Sequence, residues 1–150
     1  MKLTTRSHYS VKAMLDLSLQ PSGQLASVRA IAQRQALPAP YLEKLLIALR
    51  QAGLVKSVRG PQGGYALAKA PAQISLGQIL DAVGESTALL KPAYPSTQAL
   101  NQAEDWVTVT LWQRLHQKLK ESLHSISLEE LYYDARSWQA AQGEETNFVV

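Results

Sequence analysis

The sequence predicts a mainly α fold with one small antiparallel β-hairpin, on three observations. Short amphipathic helices recur over residues 5–52 with turn signals between them, and a basic glycine-rich loop follows them between two alternating apolar segments, LVKSV and YALA. A single long helix with an apolar stripe then dominates the second half. Helix, turn, helix and hairpin in that order make a winged helix-turn-helix, and the long C-terminal helix reads as a dimerisation helix. The expected organisation is a winged domain over 1–83, an effector or linker loop over 84–102, dimerisation helices over 103–138 and a frayed tail over 139–150.

Thr4 or Thr5 is placed to cap a first helix that runs to about Leu19, with Val11, Met14, Leu15, Leu17 and Leu19 on its apolar side. Residues 20–23, QPSG, end it. A second helix fits Val28 to Gln35 behind the cap Ser27, and Leu37-Pro38 marks its end, because the residue before a proline resists the helical region. The third helix is expected from about Pro40 to Ala52, with Leu42, Leu45, Leu46 and Leu49 at the spacing that buries one face and Gly53 placed to terminate it.

Leu54–Val58 and Tyr65–Ala68 alternate like the strands of a half-buried hairpin. Between them, Arg59, Gly60, Pro61, Gln62, Gly63 and Gly64 form a loop whose glycines leave no side chain to hold the backbone away from a phosphate chain. Further on, Ile74, Leu76, Ile79, Leu80 and Val83 read as a fourth helix started near Ser75. Residues 84–103 have no clean period and contain two prolines, so they read as a loop. A helix from about Ala103 to His124 follows, striped by Val107, Leu111, Leu115, Leu119 and Leu123. It either packs across the winged domain or pairs with its copy in a second subunit. Ser127 and Glu130 have capping-box spacing for a short terminal helix, and the polar residues from Gln139 on read as frayed.

A chain of 150 residues buries one moderate core. It contains no cysteine, which excludes disulfides, thiolate nucleophiles and thiolate metal sites. No run of 18 apolar residues could span a bilayer, and Lys12 and Asp16 interrupt the apolar start, so the expectation is a cytoplasmic protein without a membrane partner. The net charge of +3 conceals a segregation. Residues 1–75 hold ten Lys or Arg against Asp16 and Glu43, while residues 76–150 hold five against ten acids. One half suits a polyanion. Enzyme constellations are missing: His8, His116 and His124 are scattered, and there is no HExxH, phosphate-binding glycine loop or nucleophile elbow. His116 and His124 read as core or interface histidines. No cofactor is expected.

A recognition helix presents residues of its first turns to base edges, while the wing and helix termini hold phosphates. Tyr41, Glu43 and Lys44 form the groove-facing set, Glu43 being able to accept a hydrogen bond from a cytosine amino group. Tyr41 has an alternative role packing against Leu37 and the second helix, and Glu43 an alternative as a solvated carboxylate. Arg59 is the wing anchor beside Gly60 and Gly63, and Lys2, Thr4, Thr5, Arg6, Lys56 and Ser57 add phosphate contacts.

The stretches KLTTRSHYSVKAMLDL, YLEKLLIALRQAGLVKSVRGPQGGYALA and ISLGQILDAV resemble the winged-helix transcription regulators that include IscR, NsrR and CymR. The likeness covers residues 1–83 closely and continues through LWQRLHQKLKESLHSISLEEL. It implies a homodimer whose long helices cross, each wing and recognition helix serving half of a palindromic operator in double-stranded DNA. Dimerisation through Val107, Leu111, Leu115 and Leu119 is a separate expectation from the apolar stripe, which could instead pack on its own domain, and the leading functional reading is a repressor. The resemblance maps Tyr41 and Glu43 onto the recognition helix, and Arg59, Gly60 and Gly63 onto the wing. Redox- and nitric-oxide-sensing members carry three cysteines before the long helix, whereas ESTALLKPAYPSTQALNQAED has none. The expectation is a member without a cysteine-ligated iron-sulfur cluster, regulated through a protein or small-molecule effector.

Overall fold

The computed structural model describes residues 4–85 and 101–148. Among these the order is α1 (Thr5–Leu19), α2 (Val28–Gln35), α3 (Ala39–Gln51), β1 (Val55–Val58), β2 (Gly64–Leu67), a 3-10 turn (Pro71–Gln73), α4 (Leu76–Ala82), α5 (Ala103–Ser125) and α6 (Leu128–Phe148). The two strands pair antiparallel, Val55 opposite Leu67 and Val58 opposite Gly64. The mainly helical winged fold expected from the sequence is the fold observed.

Helices α1, α2, α4 and α6 begin where a side chain satisfies free amide groups, whereas α3 opens on Pro38 and α5 on Gln102 without a side-chain cap. Thr4 accepts from Ser7 N–H and Ser27 from Ala30 N–H. Ser75 and Gln78 form a capping box at α4, and Ser127 and Glu130 form a second at α6. The two boxes lie side by side, because Leu76 N–H donates to Ile126 O at 2.8 Å and Leu128 N–H to Ile74 O at 2.7 Å. These bonds clip the start of α6 to the start of α4, and Leu128 enters the core fully buried.

The core is made by the faces that sequence periodicity marked. Met14, Ile31, Leu42, Leu46, Leu49, Leu54, Ile74 and Ile79 are fully buried and form one cluster with Leu128. α3 ends in a Schellman motif in which Leu54 N–H donates to Leu49 O and Gly53 N–H to Arg50 O, with Gly53 at φ 78°. α2 closes in the same way, Leu37 N–H donating to Ala32 O, but on Ala36 at φ 54°. An alanine in that left-handed region pays a steric penalty that glycine avoids, of about 1 kcal/mol.

Polar residues fix how α1 meets α2. Asp16 is buried and receives two hydrogen bonds from Arg34, at 2.8 and 3.0 Å, and a third from Gln35 at 2.7 Å. One turn earlier, Lys12 donates to the carbonyl of Gln35 at 2.9 Å, a cation at a helix C-terminus. The hydrogen bond to Asp16 raises the Arg34 pKa above its ordinary value against the opposing effect of partial burial.

The C-terminal part departs from expectation in one respect. The terminal helix is not short: α6 runs from Leu128 to Phe148. Residues 139–148 contain no proline and are rich in alanine, glutamine and glutamate, which hold a helix without needing a buried face. The loop assigned to 84–102 lies largely outside the described residues, which omit 86–100. His124 reads as an interface side chain: its ring lies against Gly77 of α4, Nε2 is 3.2 Å from Asp81 Oδ2, and Nδ1 is 2.9 Å from Lys120 O.

Candidate nucleic-acid interface

α3 turns Leu42, Leu45, Leu46 and Leu49 into the core and leaves Pro40, Glu43, Lys44 and Arg50 in solvent. Glu43, Ile47 and Arg50 follow the spacing of one helix face. Of the two acids in residues 1–75, Asp16 is buried and engaged by Arg34, so Glu43 is the single exposed carboxylate on a surface of lysine and arginine. Tyr41 behaves differently. It is half-buried and packs on the core, with its ring edge-on to Tyr9 of α1 at 5.8 Å and 75°. The core cluster it packs on includes Leu37 and the α2 residues Ile31 and Ala32. The contact with Tyr9 places the first turns of α1 and α3 side by side.

At the other end of α3, Arg50 donates to Ser57 Oγ at 3.3 Å and ties the helix to β1. The rise of a helix separates Tyr41 from Arg50 by roughly 14 Å, so the start of α1, the outer face of α3 and the hairpin follow one another along one side of the domain. Arg59, Gly60, Pro61 and Gln62 are exposed at the tip of the wing. Gly63 donates to Gly60 O at 2.9 Å to close the turn, and a Cβ on Gly63 would collide with the carbonyl of Val58. Glycine is required there by space.

The remaining predicted residues divide. Thr5 is exposed in the first turn of α1, where free amide groups and the helix dipole favour an anion. Thr4 spends its hydroxyl on the cap and on Ser7 Oγ at 3.0 Å. Arg6 is drawn toward α4, with Nη1 3.3 Å from Val83 O and Nε 3.7 Å from Glu85. Lys56 alternates with Ser57 along β1, so its side chain leaves on the side opposite the Ser57–Arg50 contact. Lys2 lies outside the described residues. Val107, Leu111, Leu115 and Leu119 belong to α5, which buries none of its 23 residues within the chain.

Two residues that sequence reasoning missed are Tyr9 and Arg50. Arg50 lies seven residues after Glu43, a spacing that puts both on one face and was legible. Tyr9 gave no signal, since its partner is 32 residues away and only the tertiary fold joins them.

Comparison with known proteins agrees with this geometry. The Rrf2 family, described as iron-dependent transcriptional regulators, matches residues 3–134. A Synechocystis sp. protein, slr0846, whose name places it among HTH-type transcriptional regulators, is 64% identical over 150 residues, the whole of both chains. The HTH-type transcriptional regulator IscR of Aliivibrio salmonicida is 40% identical over 134 residues, 89% of this chain and 79% of the relative. Among solved structures, IscR of T. potens superposes with a TM-score of 0.73 at 40% identity, covering 93% of this chain and 91% of the other. CymR of B. subtilis, the global cysteine regulator, gives 0.70 at 33% identity, covering 89% and 97%. These relatives are regulators and not enzymes, and the chain belongs to the Rrf2 family of HTH-type, DNA-binding transcriptional regulators.

Proposed function

We propose that this regulator is a cytoplasmic homodimeric repressor that reads a palindromic operator, with α3 in the major groove and the wing on the adjacent backbone. The observation that carries this reading is the isolation of Glu43. A carboxylate standing alone among cations is repelled by phosphates, so its place on the outer face of α3 suits a base edge, where it would accept from a cytosine amino group. Lys44, Arg50 and Arg59 supply the charge that holds the backbone, Thr5 lies at the α1 terminus, and Gly60 and Gly63 let the wing approach closely. Lys2, Thr4, Arg6, Lys56 and Ser57 complete the proposed contact set.

The homodimer reading rests on α5. Trp106, Val107, Leu111, Trp112 and Leu115 are between 41% and 60% exposed, a stripe that a lone chain leaves in water. Pairing of two such helices through Val107, Leu111, Leu115 and Leu119 would set two copies of α3 one DNA turn apart, about 34 Å, which is what a palindrome requires. In this reading residues 1–83 hold DNA, 84–102 carry the signal and 103–138 join the protomers.

The family is described as iron-dependent, and the residues of this chain do not fit a thiolate-held iron site. It has no cysteine, and no group of three or more His, Asp or Glu side chains among the described residues could hold a metal ion. Regulation is therefore assigned to an effector other than a cysteine-ligated cluster, either a partner protein or a small molecule. Selection of genomic DNA fragments with the purified protein tests the whole reading. A palindromic consensus bound with strong salt dependence supports it, and absence of salt-sensitive enrichment would end it.

A further inference from the structure

A groove of about 780 Å3 runs between the hairpin and α6. It lies on the side of β1 opposite the Ser57–Arg50 contact, away from the recognition helix. The C-terminal end of α1, strand β2 with the turn to Pro71, and the first turns of α6 form its walls. Leu17, Leu67 and Tyr132 give it an apolar and aromatic surface. Lys56, Lys69 and Arg136 reach it from three separate elements, against the one carboxylate of Glu129. None of these three cations forms an ion pair among the described residues, and Arg136 has only a 3.4 Å contact to Gln139 on its own helix.

We propose that this groove binds a small aromatic anion, a flat ring system bearing one carboxylate or sulfonate. The volume suits a small-molecule site, and such sites combine an apolar wall with a few convergent polar groups. A ring can lie against Tyr132 and Leu67 while its anionic group meets cations that outnumber the carboxylate of Glu129. The position gives binding a consequence. Lys56 belongs to the hairpin and Arg136 to α6, so one ligand touching both fixes the hairpin against α6 and with it the angle at which the wing meets DNA. That consequence rests on the DNA-binding reading, whereas occupancy of the groove does not.

Fluorescence titration with 8-anilino-1-naphthalenesulfonate tests the site. The expected result is a saturable signal of one dye per chain, weakened by about ten-fold in each of Lys69→Glu and Arg136→Glu, since a reversed charge turns attraction into repulsion. Lys118→Glu on α5 controls for general charge and leaves the affinity unchanged. The uncharged N-phenyl-1-naphthylamine binds the wild type and the groove variants equally. All three reversals replace exposed side chains, and unchanged melting temperatures show that the variants fold. Absence of saturable binding, equal dye affinity in wild type and the groove variants, or an equal loss in Lys118→Glu overturns the proposal. A protein that binds DNA and shows any of those outcomes keeps its regulator reading and loses this site.

Discussion

Ala26 and Tyr65 exchange both of their backbone hydrogen bonds, at 2.9 and 2.8 Å, so the segment before α2 forms a one-residue third strand beside the hairpin. The wing is thereby held to the same element that starts the helix-turn-helix, and its orientation follows that of α2 and α3. This pairing brings two backbones together at Gly64. A Cβ there would lie 2.6 Å from the carbonyl oxygen of Ala26.

Gly64→Ala is expected to push the third strand away and to cost about 1–3 kcal/mol, the usual range for forced overpacking. Urea unfolding measures it. DNA affinity is expected to fall as well, because the wing loses its register. A variant within about 0.5 kcal/mol of wild type, the range of an ordinary surface change, shows that the bridge does not constrain the wing.

Arg34→Ala leaves the buried Asp16 with the Gln35 hydrogen bond but without Arg34, and is expected to destabilise the fold by about 1–3 kcal/mol, less than for a fully buried pair because the Arg34 side chain is 40% exposed. Because the folded state raises the Arg34 pKa, the stabilisation from this group is complete at neutral pH and is lost only in strongly alkaline solution as its proton leaves. The Arg34→Ala loss measured by urea titration at pH 6 and pH 8 should therefore be the same. A loss that changed between those two values would point to another titrating partner.

Much of this architecture was readable along the chain, for identifiable reasons. Ser27, Ser75 and Ser127 act within three residues of themselves, so their caps were visible, and the leucine spacing of α3 carried its own burial. What the sequence hid depends on distant partners or on register. Tyr41 sits edge-on to Tyr9 of another helix, and Arg6 spends its charge near Val83 and Glu85. Alternation puts Lys56 and Ser57 on opposite faces of β1, but only the Arg50–Ser57 contact shows which of those faces meets α3. Ala36 ends α2 in a conformation for which glycine is the usual signal, with the turn closed by the hydrogen bond from Leu37 N–H to Ala32 O.

Arg59→Ala and Glu43→Ala should separate holding from reading. Arg59 is exposed on the wing, so its loss is expected to weaken all DNA sequences together and reduce the slope of log affinity against log salt by about one. Glu43→Ala is expected to leave non-specific affinity equal or higher while relaxing preference at one base pair of each half-site, worth about 1–3 kcal/mol. Competition binding with operator variants distinguishes the two. An unchanged base preference in Glu43→Ala assigns Glu43 to the solvated alternative.

The test of α5 uses the fact that no residue of this helix is fully buried. Leu111 and Leu115 are 41% and 42% exposed and sit one helical turn apart, so a glutamate at either position can reach water in a monomer. In a dimer the same glutamate faces the partner helix across an apolar seam, where an unpaired charge is costly. The double change Leu111→Glu with Leu115→Glu is therefore expected to keep the circular dichroism of the folded winged domain. Light scattering should report 16.5 kDa instead of twice that mass. Operator affinity should fall by at least about a hundred-fold, because each half-site must then bind without the effective concentration supplied by its neighbour. If the wild-type chain already scatters as a monomer at micromolar concentration, the stripe has another partner and the palindromic operator loses its structural basis.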